Sequence, residues 1–318
     1  MLITIGLPVY KGQYLALAIQ SILNQTYKDF ELIIINDDSP DNVEKVVKQY
    51  DDKRIKFYSN ESNLGKIDLV SCWNTILGKA KGEYFVLASD DDYYEPDFLE
   101  EMVKKTMQFP DIDIFHCRLR IVDINGETID FSESCSEKEN VFDFMWHRIL
   151  KDRKQMVPEF MYRTSKLNQI GGFYPMPAGW GSDDITSYKM AEGNGIVFIN
   201  EILCNWRISG INISTSKEYY YQKMEAIIMY RDWIINFINY SKPDNSKNIF
   251  LLELEKKIKQ EFHNRLCTMS SRFLIYSPFL RLPANLRICK KTFNIKISNI
   301  LGSLLESFGR KLKIKSDN

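Results

Sequence analysis

Apolar and polar positions follow two different periods along the first hundred residues. Short apolar runs predict four buried strands, at Leu2–Pro8, Phe30–Asn36, Ile55–Ser59 and Tyr84–Ala88. Between these runs, apolar residues recur at helical spacing over 15–23 and predict a helix there, and further helices are predicted at 41–50, which is polar, and at 66–79. Repeated alternation of strand and helix predicts a parallel α/β sheet with helices on both faces.

The pattern changes after Pro110. The following segment predicts a hairpin that turns at Asn125 and Gly126, and then two strands and a helix, at Met156–Tyr162, Ile196–Ile199 and Asp183–Glu192. From about Tyr219 the chain is predicted to be helical, with breaks at Pro243, Pro278 and Pro283. We therefore expect an α/β domain over residues 1–216, followed by a helical extension over 217–318.

The charge of the chain is unevenly distributed. Formal net charge is zero over 318 residues, so the overall charge indicates no class of partner. We expect no nucleic-acid partner. Residues 262–318, however, carry eleven Lys or Arg against two acids. Within them Ile297–Leu312 has an apolar helical face, followed by the basic run Arg310–Lys315. This segment is predicted to contact a membrane surface, or else to pack onto the catalytic domain or form a homo-oligomer interface.

The compartment is predicted from cysteine usage and from the N-terminus. The six cysteines form no CxxC pair, which is typical of a reducing compartment. The segment Met1–Tyr10 has no basic region, and its apolar run is too short for a signal peptide. We expect a cytoplasmic protein, with a peripheral position on the inner face of the membrane as the further expectation from the basic C-terminal region.

Acidic residues follow two of the predicted strands. Asp90, Asp91 and Asp92 come directly after the fourth strand, where adjacent carboxylates raise one another's proton affinity unless a cation offsets them. A divalent metal bridging to a substrate diphosphate is one explanation, because Mg²⁺ takes one or two carboxylates plus phosphates. The alternative is a solvated turn before a helix that begins near Pro96.

A second acidic cluster, Asp37-Asp38-Ser39-Pro40-Asp41, follows the second strand. Asp38 is suited to accept a hydrogen bond from a nucleobase imide N–H, and Asp41 is predicted to be a helix N-cap. In parallel sheets ligands bind beyond the carboxyl ends of the strands, so both clusters are expected at one site.

Several runs, taken together and in order, resemble a known family. The first half contains LPVYKGQYLALAIQSILNQTYKDFELIIINDDSPDN, ESNLGK and GEYFVLASDDDYYEPDFL, and the second half contains NQIGGFYP, WGSDDITSYKMAEGNGIVFI and LCNWRISG. These runs resemble the inverting family 2 glycosyltransferases, which have the GT-A fold. The resemblance implies a mixed, mostly parallel central sheet, with a nucleotide-sugar-binding half over residues 1–110 and an acceptor half over 111–216.

The resemblance also implies roles for the matching positions. It assigns nucleotide-sugar binding to Pro8, Val9, Tyr10, Asp37, Asp38, Asn63, Gly65, Lys66, Asp90 and Arg207. The aspartate triplet corresponds to the DxD motif, which carries Mg²⁺ or Mn²⁺ on the donor diphosphate. Ser89 stands where the first acid is usual, which makes Asp91 the leading metal ligand and Asp92 the second.

The catalytic base implied by the resemblance is one of two adjacent acids that open a helix, Asp183 or Asp184. Spacing back from Lys189 favours Asp183, whereas the family's pairing of two acids favours Asp184. An N-cap role is the alternative for Asp183. Ser209 departs from the family, which often has histidine at this position.

The implied activity is inverting transfer of a sugar from a nucleotide-diphosphate donor. A UDP-sugar is the expected donor, and a glycan or lipid-linked glycan in surface polysaccharide biosynthesis is the expected acceptor. The alternative is a catalytically inactive relative that binds nucleotide or glycan. A dinucleotide-dependent oxidoreductase is disfavoured, because no G-x-G-x-x-G follows the first strand.

Overall fold

The computed structural model describes residues 1–150, 153–210, 216, 218–241, 249–277, 281–300 and 302–303. The chain divides into two compact units, Met1–Asn212 and Ile213–Asn318. All the predicted site residues lie in the first unit. The assignment of donor and acceptor roles to residues 1–110 and 111–216 stays a prediction.

The first unit consists of strands and helices that alternate along most of its length. Its strands are β1 (Ile3–Val9), β2 (Phe30–Asn36), β3 (Ile55–Ser59), β4 (Tyr84–Leu87), β5 (Tyr93–Tyr94), β6 (Ile114–Val122), β7 (Thr128–Phe131), β8 (Lys138–Glu139), β9 (Phe160–Arg163) and β10 (Ile196–Arg207). Its helices are α1 (Leu15–Leu23), α2 (Val43–Val47), α3 (Leu64–Leu77), α4 (Phe98–Gln108), α5 (Val141–Ile149), α6 (Thr164–Gln169) and α7 (Ser182–Ala191).

The strands form one sheet in the order β3-β2-β1-β4-β9-β6-β10-β5, with β7 paired to β6 and β8 paired to β10. Strands β3, β2, β1 and β4 are parallel neighbours, and β6 and β10 also pair in parallel. Within this strand order, β9 and β5 are antiparallel to their neighbours. The prediction of an α/β fold with a mixed, mostly parallel sheet is therefore confirmed.

The core lies on both faces of the central strands. Every residue of β4 is buried, and only the last residue of β2 and Pro8 in β1 are partly exposed. Their continuous apolar sequences fit this burial, because a parallel sheet covered on both faces has no solvated side. Each buried Leu, Ile or Phe contributes about 1.5–3 kcal/mol relative to exposure.

Two predicted strands differ in length from the observed ones. The strand predicted at Met156–Tyr162 begins only at Phe160, since Val157–Glu159 forms a short 3₁₀ turn that includes Pro158. The strand predicted at Ile196–Ile199 continues to Arg207, through two register shifts against β6 between Ile199 and Cys204. Polar residues inside this stretch hid its continuity in the sequence.

One predicted helix cap and one predicted helix break are wrong. Asn42, and not Asp41, caps α2 by accepting a hydrogen bond from the Lys45 backbone N–H. Asp41 instead accepts one from the Gly12 backbone N–H at 2.7 Å. Pro283 does not break a helix; it lies in the first turn of the helix Leu282–Lys291, where its missing N–H has no intrahelical partner to lose.

The second unit is helical in its described part, as predicted. It contains α8 (Tyr220–Tyr240), α9 (Ile249–Ile275) and α10 (Leu282–Lys291), and the Tyr230 and Phe262 rings pack edge to face at 5.0 Å between α8 and α9. No helix of the described residues is both long and apolar enough to cross a membrane. Much of the predicted membrane-contact segment, including 304–318, lies outside the described residues, as do Pro243 and Pro278.

Candidate active site

The sheet topology brings distant segments of the chain to one edge. Strands β1, β2, β4, β6 and β10 all run in the same direction, so the segments that follow their carboxyl ends meet at the same side. The predicted site residues near β1, β2, β4 and β10 lie at or directly after these strand ends, as expected for ligand sites in such sheets.

Asp90 joins the end of β4 to the end of β1. One of its carboxylate oxygens accepts hydrogen bonds from the backbone N–H groups of Tyr10, at 2.9 Å, and Lys11, at 2.8 Å. Burial, together with the neighbouring Asp91 charge, raises the pKa of Asp90 to about 6, whereas the two N–H groups act in the opposite direction. Asp90 therefore fixes the backbone next to Tyr10.

Asp92 joins the same loop to the end of β10. Its carboxylate accepts a hydrogen bond from the Arg207 backbone N–H at 2.8 Å and another from the Ser89 hydroxyl. The side chain is buried, and burial together with the Asp91 charge holds the pKa of Asp92 well above its usual range. Ser89, which replaces the usual first acid of the motif, thus supports Asp92 directly.

Asp91 has a different kind of neighbour, the hydroxyl of Ser209, which donates to it at 2.8 Å. Within the described part of the chain, no three His, Cys, Asp or Glu side chains gather as a metal cluster. A carboxylate and a hydroxyl nevertheless fit Mg²⁺ or Mn²⁺, because such ions keep few protein ligands when substrate phosphates supply the rest. Asp91 and Ser209 are thus residues that could hold the ion, and the assignment of Asp91 and Asp92 as its ligands stays a prediction.

Arg207 lies buried beneath this loop and binds backbone carbonyl groups. Its Nε donates to the Asp91 carbonyl at 3.0 Å, and its Nη1 donates to the carbonyls of Asp123 and Ile124 at 3.0 and 3.2 Å. The guanidinium lies 4.3 Å from the centre of the Tyr14 ring. Arg207 therefore joins the β4 loop to the β6–β7 turn, and its predicted contact with the nucleotide sugar stays a prediction.

Sequence reasoning missed the contribution of this turn. The Tyr14 hydroxyl also donates to the Ile124 carbonyl, at 3.0 Å, so the turn is held from two sides. Carbonyl groups leave no signature in side-chain identity, and the Asn125-Gly126 turn predicted only a hairpin. Nothing in the sequence indicated that the hairpin would meet the end of β10.

Asp37 organises the segment after β2. Its buried carboxylate accepts hydrogen bonds from the Leu64 and Gly65 backbone N–H groups, at 2.9 and 2.7 Å, and from the Asn60 side-chain amide at 2.6 Å. A Cβ at Gly65 would lie 2.9 Å from the same carboxylate, so a larger residue would displace this contact. Asp37 thus ties β2 to the beginning of α3.

The two other predicted residues at the start of α3 are Asn63, which caps the helix, and Lys66, which is exposed. The Asn63 side chain caps α3 by accepting a hydrogen bond from the Lys66 backbone N–H at 2.7 Å. The Lys66 side chain is exposed. The cap occupies an Asn63 oxygen, and nucleotide contact by these two residues stays a prediction.

Asp38 and Tyr10 present exposed side chains on adjacent strand ends. Asp38 has a φ of 54°, and the Tyr10 side chain is 43% exposed. The Ser39 hydroxyl donates to the Tyr10 carbonyl at 2.7 Å and thereby links the two segments. Val9 is fully buried and Pro8 partly so, which makes them the support of this surface.

Asp183 and Asp184 lie in the first turn of α7. The helix is capped by Gly181, with a φ of 81°, so the alternative of an N-cap role for Asp183 is wrong. Asp184 is buried and accepts a hydrogen bond from Arg148 Nε at 2.7 Å. Asp183 is partly exposed, and burial and the Asp184 charge raise its pKa to about 7, opposed by Arg148.

The turn that precedes the pair packs against α3. Gly179 has a φ of 66°, and a Cβ there would lie 2.9 Å from Leu69 of α3. This close approach brings the segment before α7 against the helix that Asp37 anchors. Arg148 was missed by sequence reasoning, because it lies 36 positions before Asp184 and belongs to no motif.

The fold defines the structural class. Solved structures of GT-A type share the architecture: S. aureus TarS in complex with UDP-GlcNAc superposes with a TM-score of 0.62 at 17% identity, over 96% of this chain and 80% of that chain. The mannosyltransferase PcManGT from Pyrobaculum calidifontis, in complex with GDP-Man and Mn²⁺, has a TM-score of 0.58 at 17% identity, over 96% and 86%.

Sequence comparison identifies the family. The model of glycosyl transferase family 2 matches residues 4–170, and the chain belongs to this family of glycosyltransferases. An uncharacterized glycosyltransferase of Rickettsia typhi is 25% identical over 233 residues, which are 71% of this chain and 70% of the relative. One from Methanocaldococcus jannaschii is 35% identical over 162 residues, 50% of this chain and 53% of the relative.

Proposed function

We propose that this glycosyltransferase moves a sugar from a nucleotide-diphosphate donor to an acceptor hydroxyl, with inversion at the anomeric carbon. The observation that carries the proposal is the joining of three strand ends by Asp90, Asp92 and Arg207. Through these hydrogen bonds, the loops that carry Asp91 and Ser209 are connected to the loop that carries Tyr10. A binding site for the donor diphosphate, at Asp91 and Ser209, would then lie next to a binding site for the nucleobase, at Tyr10.

The donor is proposed to be a UDP-sugar. Asp38 carries an exposed carboxylate, which only accepts hydrogen bonds when ionised and therefore suits the imide N–H of uracil. Exposed Tyr10 supplies an aromatic surface for the base. TarS with UDP-GlcNAc supports this choice, whereas PcManGT with GDP-Man is the precedent for a different base.

The leaving diphosphate would be bound at Asp91 and Ser209 through Mn²⁺ or Mg²⁺, which supplies positive charge to offset the charge of the leaving group. Asp90 and Asp92 keep this loop in place through backbone N–H groups, and Arg207 holds its Asp91 carbonyl. Asp92 as a second ligand remains part of the proposal. PcManGT, crystallised with Mn²⁺, supports metal use.

Deprotonation of the acceptor hydroxyl is assigned to the pair Asp183 and Asp184. A general base works best with a pKa near the operating pH, and the pKa of Asp183 is raised to about 7. Because the base must be ionised, the rate is expected to fall as the pH decreases below about 7. The acceptor is proposed to be a glycan or lipid-linked glycan of surface polysaccharide biosynthesis.

Separate Asp183→Asn and Asp184→Asn variants test the base assignment. Nucleotide release from a panel of UDP-sugars is measured, alongside UDP binding. Loss of the base is expected to lower the rate by about 10²–10⁴-fold with unchanged UDP affinity, because general-base catalysis contributes that much. The smaller loss identifies the supporting residue.

The exposed Asp130 on β7 provides the control, as Asp130→Asn. Near-wild-type rates in both Asp183→Asn and Asp184→Asn would refute the assignment. UDP binding without turnover in the unmodified protein would instead support the alternative, an inactive relative that binds nucleotide.

A further inference from the structure

Arg148 is the charged residue next to the proposed base that the mechanism above leaves without a role. It lies in the last turn of α5, and its side chain is 25% exposed. Its Nε donates to Asp184 Oδ1 at 2.7 Å, the separation of a charge-assisted hydrogen bond. α5 also packs on α7 through the Phe144 and Tyr188 rings, at 5.5 Å, so the arginine is carried by a packed element.

We propose that Arg148 is a positioning residue of the transfer reaction, which fixes the Asp184 carboxylate beside Asp183 and offsets part of the negative charge of the pair. The proposal rests on the proposed function, since it concerns the same base. It holds whichever of the two aspartates takes the proton, because their charges act on each other.

The surroundings of the pair explain why a cation is required there. Two adjacent carboxylates in a largely buried helix turn repel each other, and the helix N-terminus offsets only part of this. Glu159, before β9, also interacts electrostatically with Asp183, and burial holds the pKa of Glu159 well above its usual range. Tyr162 on β9 faces the pair as well, and burial raises its pKa too.

Nearby Arg153 has a different partner. Its two terminal nitrogens bind Glu139 at 2.7 and 2.9 Å, in a buried bidentate pair. Arg148 is the arginine that opposes the rise in the pKa of Asp183. Its removal would therefore move the ionisation of Asp183 to higher pH.

The test compares Arg148→Gln and Arg148→Lys with the unmodified protein. Two quantities are followed: the pH profile of nucleotide release from UDP-sugars, and the ¹³C carboxyl shift of Asp183, assigned with Asp183→Asn. In Arg148→Gln both midpoints are expected to rise by about one pH unit, because an opposite charge at this distance shifts a carboxyl by that order. Arg148→Lys retains the charge and should move them less than half as far.

Arg163→Gln is the matched control. Arg163 Nε lies 2.7 Å from Asp113 Oδ1, and its side chain is 22% exposed, which nearly reproduces the Arg148 pair. Arg163 pairs in register with Tyr84, the first residue of β4, and so lies at the opposite edge of the sheet. Neither midpoint should move in this variant.

An unchanged midpoint in Arg148→Gln with a lower plateau would overturn the proposal, since a merely structural role lowers the rate at every pH. Equal shifts in Arg148→Gln and Arg163→Gln would overturn it too. If the unmodified protein releases no nucleotide, the proposed function fails, but the ¹³C titration still decides whether Arg148 controls the ionisation of Asp183.

Discussion

Asp38 combines an exposed carboxylate with an uncommon backbone conformation. Its φ of 54° lies in the left-handed region, which asparagine and aspartate adopt more readily than other non-glycine residues. The conformation turns the chain directly after β2, next to the Tyr10 segment that Ser39 holds. Replacing Asp38 with asparagine would keep the left-handed backbone conformation and remove the negative charge, so the two contributions can be tested separately.

Asp38→Asn is predicted to lower UDP affinity by about 10-fold while leaving thermal stability unchanged. The amide can still accept one hydrogen bond, but it also donates, so it no longer excludes a base whose ring nitrogen is an acceptor. CDP binding should therefore improve relative to UDP binding. Calorimetric titration of both nucleotides checks this; unchanged affinities for both would remove Asp38 from base recognition.

The sequence indicated that the aspartate triplet belongs to the site, but it did not predict that its three residues make different contacts. Asp90 accepts hydrogen bonds from two backbone N–H groups just after β1, 80 and 79 positions away, and Asp92 accepts one from β10, 115 positions away. Backbone groups are the same for every residue type, so no pattern of letters identifies which acid they will reach. The different neighbour of Asp91, the Ser209 hydroxyl, follows only from the folded arrangement.

Among the elements, α3 depends on aspartates at two points. Asp68 has a non-helical conformation inside it, with φ of −151° and ψ of 96°, and its side chain accepts hydrogen bonds from the Val70 and Ser71 backbone N–H groups. A second helix start therefore lies within α3. The turn before it is held by Asp37 through Leu64 and Gly65.

Asp37→Asn is predicted to reduce the free energy of unfolding by about 1–3 kcal/mol, because the amide nitrogen would face a backbone N–H or the Asn60 amide and leave a buried donor unsatisfied. UDP affinity should fall as well, since the α3 start would no longer be fixed. Urea denaturation measures the first effect. The exposed Asp38→Asn is the natural control, and equal stability of the two variants would contradict this role of Asp37.

Element lengths were predicted well where apolar runs were continuous and poorly where they were not. β2 and β3 have the predicted bounds because their ends coincide with polar or turn residues. β10 was predicted four residues long because Asn200 and Glu201 interrupt it, yet its register shifts against β6 carry the strand on to Arg207. Tertiary pairing decided its length.

For the whole molecule, strand direction is what assembles the site. The sequence predicted a parallel sheet whose strand ends would meet, and β1, β2 and β4 confirm it. It did not predict that β9 would enter between β4 and β6 against their direction. That insertion sets β6 and β10 parallel to the first half, which brings Arg207 to the same edge as the aspartates.

The central claim is that this edge binds a nucleotide diphosphate through a divalent metal. The most direct measurement is calorimetric titration of UDP, GDP, dTDP and CMP, each with and without Mn²⁺, on the unmodified protein and on Asp91→Ala. We expect Mn²⁺-dependent binding of UDP that disappears in Asp91→Ala. No metal-dependent binding of any of the four nucleotides would contradict the account and leave the aspartate triplet as a solvated turn.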